Sequence, residues 1–120
     1  MGEKRKAPRA RTIAVVSFKV QSARLAGGTR IKDISESGIC IPSKLHFEVG
    51  STLELEIRSD DLKVPVKTLA RVVWIAPRQG KFPFEVGLDF LQLPEDVHAV
   101  LRDYVRGLID QGQKDVSWLE

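Results

Sequence analysis

The chain is poor in the residues that build covalent or metal-dependent chemistry. Cys40 is its single cysteine, so no internal disulfide can form and the fold cannot depend on an oxidising compartment. Flanked by Ile39 and Ile41, that cysteine reads as a strand residue. Histidine is equally scarce. His46 lies in a loop with no Cys, Asp or second His at ligand spacing, and His98, on the polar side of the expected helix, has no obvious acid or nucleophile partner. No glycine loop followed by lysine is present to cradle phosphate. These gaps exclude a recognisable catalytic constellation, so no enzyme activity, catalytic residue, metal or cofactor is expected. Long apolar runs are missing as well, which argues against a membrane span. The basic start followed by Ile13-Ala14-Val15-Val16 is broken by Ser17 and Lys19 before it reaches signal-peptide form. Lys6 occupies the place where an acylation signal following Gly2 needs Ser or Thr. The expectation is a cytoplasmic protein.

What the chain does have is charge, unevenly placed. Lysine and arginine total 19 against 16 acidic residues, a net charge of +3. Lys4, Arg5, Lys6, Arg9 and Arg11 crowd the start against Glu3 alone, which suits an anionic partner there. Pro8 biases Ala7 away from helix, so residues 1–11 are expected to be a flexible basic arm. Residues 12–112 are expected to form one domain, with 113–120 a tail. Trp118 in that tail is either frayed or a contact for a partner.

Alternation of apolar and polar residues then predicts short strands. Residues 12–20 place Ala14, Val16, Phe18 and Val20 on one face. Leu25 to Thr29, with Gly27-Gly28, is expected to turn the chain. Residues 51–58 place Leu53, Leu55 and Ile57 inward. Residues 63–75 place Val64, Val66, Ala70, Val72 and Trp74 on one face, with Pro65 marking an edge or bulge. Residues 82–90 place Phe82, Phe84, Val86, Leu88 and Phe90 inward and leave Gly87 outward, where it makes room for an approaching group. After Pro94 the period becomes helical. Val97, Val100, Leu101, Tyr104, Val105, Leu108 and Ile109 form one stripe, ended by Gly112. Such a run of strands closes most readily as a small barrel capped by the helix.

Two polar motifs stand apart from this pattern. Arg5 and Arg9 lie four apart on the arm, where guanidinium groups can bind phosphate bidentately, stack on flat rings or pair with guanine. Asp33, Ser35 and Gly38 form an Asp-x-Ser-x-x-Gly segment. It offers a fixed acceptor, a hydroxyl, and a backbone that a ligand can approach closely. The same residue types also make ordinary turns. A ligand carrying both phosphate and guanine would use all four side chains, with Asp33 matching the guanine N1–H and N2–H₂ edge.

The two motifs in this order resemble the PilZ family of bacterial cyclic di-GMP receptors. That family pairs RxxxR with [D/N]xSxxG, and this chain carries Arg5-x-x-x-Arg9 and Asp33-x-Ser35-x-x-Gly38. The segments Ala70-Arg71-Val72-Val73-Trp74 and Val86-Gly87-Leu88-Asp89-Phe90 are also similar to the family. The resemblance implies a six-stranded antiparallel split β-barrel with a C-terminal amphipathic helix and a ligand on its outer surface. It implies that Arg5 and Arg9 clasp guanine and phosphate and that Asp33 reads the guanine edge. Ser35 and Gly38 would complete the pocket. Lys4 is implied to influence whether one ligand or a stacked pair is bound, and Gly87 is a further candidate. Trp74 is another, although its parity with Val64, Val66 and Val72 favours the core. The implied mechanism is a receptor whose arm becomes ordered on cyclic di-GMP and which signals in trans to a protein effector. Two alternatives stay open: a PilZ-type adaptor that binds no nucleotide, and a small nucleic-acid-binding barrel. Against nucleic acid, the phenylalanines share the inward parity of their strands.

Overall fold

The computed structural model describes residues 10–21 and 24–112. Its strands are β1 (Ala10–Arg11), β2 (Val15–Val20), β3 (Leu25–Arg30), β4 (Asp33–Ile34), β5 (Gly38–Ser43), β6 (Thr52–Arg58), β7 (Val66–Pro77) and β8 (Phe84–Leu91). They are followed by helix α1 (Glu95–Gly112). All strands pair antiparallel in one sheet, in the order β1-β4-β5-β8-β7-β6-β2-β3. The protein is therefore mainly β with one C-terminal helix, as the patterning implies.

The closure is less regular than a six-stranded barrel. β1 continues into β2 and β3 into β4 after short breaks, so the first hairpin supplies both ends of the sheet. The ladder nevertheless has two ends. At the break the chain changes neighbours: Ile31 N donates to Ala14 O at 2.9 Å, and Lys32 N donates to Cys40 O at 2.8 Å. Asp33 faces Cys40, which puts Pro42 level with Ile31. Pro42 has no N–H to give, so no ladder extends along β3 toward β5.

Side-chain alternation fixes the core. Ala10, Ile34, Ile39, Leu88 and Val72 are successive partners across β1, β4, β5, β8 and β7, and all five are buried. The other half of the sheet pairs Val16 with Ile57, Phe18 with Leu55 and Val20 with Leu53, again all buried. Fully burying each of the larger side chains stabilises the fold by about 1.5–3 kcal/mol. Helix α1 packs Leu101, Tyr104 and Val105 onto this core. The Tyr104 hydroxyl donates to Ser59 Oγ at 3.0 Å and lies 2.6 Å from Thr12 Oγ1. The helix thus ties down the β1–β2 break, and through β1 the strand that faces Asp33.

Several expectations need correction. Ala10 and Arg11 form β1, so the arm's last two residues belong to the sheet. Gly27 and Gly28 lie in β3, and the turn falls earlier. Gly27 faces Phe18, and a Cβ there would stand 2.9 Å from the Phe18 ring, so the glycine accommodates an aromatic neighbour. Val64 precedes β7 and is 66% exposed; Phe82 precedes β8 and is 38% exposed. Val100, at 45% exposure, falls off the buried helix stripe.

Candidate functional site

The Asp33-to-Gly38 segment is the tight turn between β4 and β5. Ser35 N donates to Gly38 O at 2.9 Å, and the Ser35 hydroxyl oxygen accepts from Ser37 N at 3.1 Å and Gly38 N at 3.2 Å. Ser35 is only 6% exposed. Its hydroxyl therefore shapes the turn, as serine side chains do when they mimic a backbone acceptor. Gly38 is required by packing: a Cβ there would stand 2.1 Å from the Leu88 carbonyl oxygen on β8. Ser37 O also accepts from Phe90 N at 2.9 Å, pinning the turn to β8.

The outward-facing row beside this turn gathers the polar candidates. Arg11, Asp33, Cys40, Gly87 and Trp74 are successive partners across β1, β4, β5, β8 and β7. Directly opposed residues in antiparallel strands point to the same face, so all five share the outer surface. A shallow cleft of about 50 Å³ opens there, with Asp33, Ser35, Gly38, Trp74, Gly87 and Asp89 in its wall. That is room for one or two waters. Anything of nucleotide size has to lie over the cleft.

Trp74 reaches this face through a bulge. The β7–β8 register pairs Val72 with Leu88 and Trp74 with Gly87, leaving Val73 as the extra residue. The bulge inverts the parity of β7, so Ile75 packs against the core and Trp74, half-buried, faces out. The core position that parity favours for Trp74 is thus overturned. Gly87 is buried beneath it: a Cβ there would lie 2.1 Å from the indole Nε1. The space left by Gly87 is filled by the indole.

Two charged contacts frame the turn. His98 on α1 donates from Nε2 to Glu36 Oε1 at 2.7 Å, supplying the acid partner that sequence spacing did not reveal. On β8, buried Glu85 takes Lys32 on one oxygen and Arg78 Nη2 at 2.6 Å on the other. Burial alone would raise the Glu85 carboxyl, but the hydrogen bonds and charges of Lys32 and Arg78 override it and hold the group below the ordinary range. His46 is an exposed loop residue whose ring meets Phe84 edge-on at 5.2 Å. No group of acids, histidine and cysteine able to hold a metal occurs among the described residues.

The structure therefore brings Asp33, Ser35, Gly38, Trp74 and Gly87 together. Lys4, Arg5 and Arg9, like Trp118, lie outside the described residues. Sequence reasoning missed Arg11, Cys40, Val73 and Asp89. Counting by twos from Gly87 would have found Asp89. Arg11 depends on a non-local register that periodicity does not carry.

A PilZ domain model matches residues 3–107. The chain belongs to the PilZ domain family. No curated protein matches it in sequence. Among solved structures, the PilZ domain of YcgR from Escherichia coli with c-di-GMP is similar at 15% identity and TM-score 0.74, covering 95% of this chain and 98% of that one. MrkH of K. pneumonia in complex with c-di-GMP is similar at 14% identity and TM-score 0.77, covering 94% and 56%. The Bacillus subtilis inhibitor of motility MotI/DgrA follows at 20% identity and TM-score 0.73, covering 94% and 53%. The chain thus spans about half the length of MotI and MrkH. No helix among the described residues is long and apolar enough to cross a membrane.

Proposed function

We propose that this PilZ protein is a non-enzymatic cytoplasmic receptor for cyclic di-GMP that signals in trans to a protein effector. The observation that carries this reading is the outer row itself. Asp33 and Trp74 flank one cleft, and Asp33 is paired with β1, the strand into which the Arg5-x-x-x-Arg9 segment leads. A guanine laid over the cleft meets the Trp74 indole as a stacking surface and the Asp33 carboxylate as an acceptor for its N1–H and N2–H₂ edge. Base–aromatic stacking of this kind contributes about 1–3 kcal/mol. The phosphates then need cations, which the cleft wall lacks and which Arg5 and Arg9 supply in bidentate form. Ser35 and Gly38 contribute by holding the turn rigid, Gly87 by seating the indole, and Lys4 by setting whether one ligand or a stacked pair binds. Neutralising the arm's like charges against a dianion fixes it across the sheet and changes the surface a partner meets.

Calorimetric titration of cyclic di-GMP against wild type and Arg9→Ala tests the reading. Heat in wild type that is lost in the variant supports it. No heat in wild type, or equal heats in both, rejects it. A second reading, an adaptor that binds no nucleotide, is compatible with the same turn: Ser35 and Gly38 are fully employed by the fold. A complete motif would persist for structural reasons even without a ligand.

A further inference from the structure

We propose that Arg71 and Asp89 form a second guanine-reading pair, which takes the other base of the ligand whose first base lies at Asp33 and Trp74. The pairing rests on the reading of this protein as a cyclic di-GMP receptor, and it uses residues that neither sequence motif contains. Arg71, Asp89 and Gly38 are successive partners across β7, β8 and β5. Asp89 lies two residues from Gly87 on the same strand, so this row continues the outer face that carries Trp74. Asp89 is also in the wall of the cleft, and both charged residues are exposed.

The pair is open. Residues directly opposed in antiparallel strands hold their Cβ atoms about 4.5–5.5 Å apart, near enough for an arginine to close on an aspartate. Arg58 does close on Glu56, at 2.8 Å. Among the described residues, no ion pair or side-chain hydrogen bond holds Arg71 or Asp89. On the other side of Asp89, Gly38 brings no side chain to cover the carboxylate.

An open arginine–aspartate pair matches both kinds of polar group on guanine. The carboxylate accepts from N1–H and N2–H₂, and the guanidinium donates to O6 and N7. Adenine offers a carboxylate one amino group where guanine offers two adjacent donors. Arg71 also offsets the repulsion between Asp89 and a dianionic ligand. The spacing calls for two bases. Asp33 and Asp89 lie on β4 and β8, either side of β5, and their β5 partners Cys40 and Gly38 are two residues apart. Strand spacing and rise put the two aspartate Cα atoms about 12 Å apart. One guanine edge cannot serve both carboxylates, whereas a dinucleotide with two guanines carries one edge for each.

The test is calorimetric titration of the full chain with cyclic di-GMP and with the mixed guanine–adenine analogue of the same ring, cyclic GMP–AMP. Wild type is expected to bind the two-guanine ligand at least about fivefold more tightly. Asp89→Asn should weaken cyclic di-GMP binding at least about fivefold and change cyclic GMP–AMP binding by less than about twofold, so the preference collapses. Arg71→Met should narrow the same preference. Both side chains are exposed, and ligand-free circular dichroism checks that the variants keep the fold. Proton NMR of the saturated complexes should show two protected guanine N1–H resonances in wild type and one in Asp89→Asn. Cyclic di-GMP binding that Arg9→Ala abolishes and Asp89→Asn leaves unchanged overturns this proposal and leaves the receptor reading standing. No binding to wild type overturns both.

Discussion

Gly38→Ala separates a glycine kept for packing from one kept for a ligand. The added methyl would stand 2.1 Å from the Leu88 carbonyl oxygen, 3.1 Å from Leu88 C and 3.2 Å from the Asp89 Cα. All three atoms are backbone of the paired strand, so no rotamer change relieves the contact. β5 and β8 have to part locally, loosening a ladder that joins Gly38 to Asp89 and Ile39 to Leu88. Overpacking of this kind costs about 1–3 kcal/mol. At roughly 2.1 cal/mol/K per residue, a chain of this size has an unfolding entropy of about 0.25 kcal/mol/K, so the cost lowers Tm by about 4–12 °C. The assay is thermal unfolding followed by circular dichroism with no nucleotide present. A ligand-free Tm within about 1 °C of wild type, accompanied by loss of cyclic di-GMP binding, would refute the packing argument and return Gly38 to direct ligand contact. Gly87→Ala is the contrast: its clash is with the Trp74 indole, which can swing away, so binding should suffer more than stability.

Ser35→Ala removes the acceptor of the Ser37 and Gly38 amides and should cost about 1–3 kcal/mol in ligand-free denaturant unfolding, as expected when buried donors lose their partner. Trp74→Ala should weaken cyclic di-GMP binding by roughly 5- to 150-fold, the equivalent of one lost stacking contact, while Trp74→Phe recovers much of it in the same calorimetric titration. Glu85 sets an acid limit. Its folded carboxyl lies below the ordinary carboxylate range, so the stabilisation is fully present above that range and is lost as pH falls through the lower folded value. Glu85→Gln should therefore lower the urea midpoint near neutrality, where the stabilisation is fully present, and flatten its dependence on pH below about 4.5.

The sequence revealed most of the fold because its strands obey simple alternation. β2 and β6 place the expected residues inward, since each lies in a regular ladder with one dry face. Errors fell where a neighbour, not the local pattern, decides. The Val73 bulge flips Trp74 outward, and nothing between Ala70 and Trp74 announces the extra residue. Gly27-Gly28 looks like a turn until Phe18 is placed across from it. Of the candidate site, Asp33, Ser35 and Gly38 were legible as a spaced motif, yet their division of labour was not. That Ser35 turns its oxygen onto its own backbone depends on burial, and the demand for Gly38 comes from a carbonyl fifty residues on. The His98–Glu36 contact joins helix to turn across a separation that no spacing rule spans.

These assignments change what the motif can say about function. Ser35 and Gly38 would be retained by any chain that builds this β4–β5 turn against β8, whether or not it binds a nucleotide. Their presence therefore cannot discriminate a receptor from an adaptor. A better discriminator is the indole that β7 turns away from the core. Asp33 is half-buried at the mouth of the cleft, and Trp74 is turned outward by a bulge that costs a regular ladder position. A core would gain more from an inward tryptophan, since a large aromatic buries more apolar area than Ile75, which takes the inward place after the bulge. The outward indole over a glycine is thus a departure from the packing optimum, and such departures concentrate at functional sites. A Val73 deletion removes only the extra residue: Trp74 then follows inward Val72 directly and stays opposite Gly87 on the outer face, so the ladder becomes regular and cyclic di-GMP binding should persist in calorimetric titration. Loss of binding with the sheet intact would show that the bulge itself, and not the outward indole alone, serves the ligand.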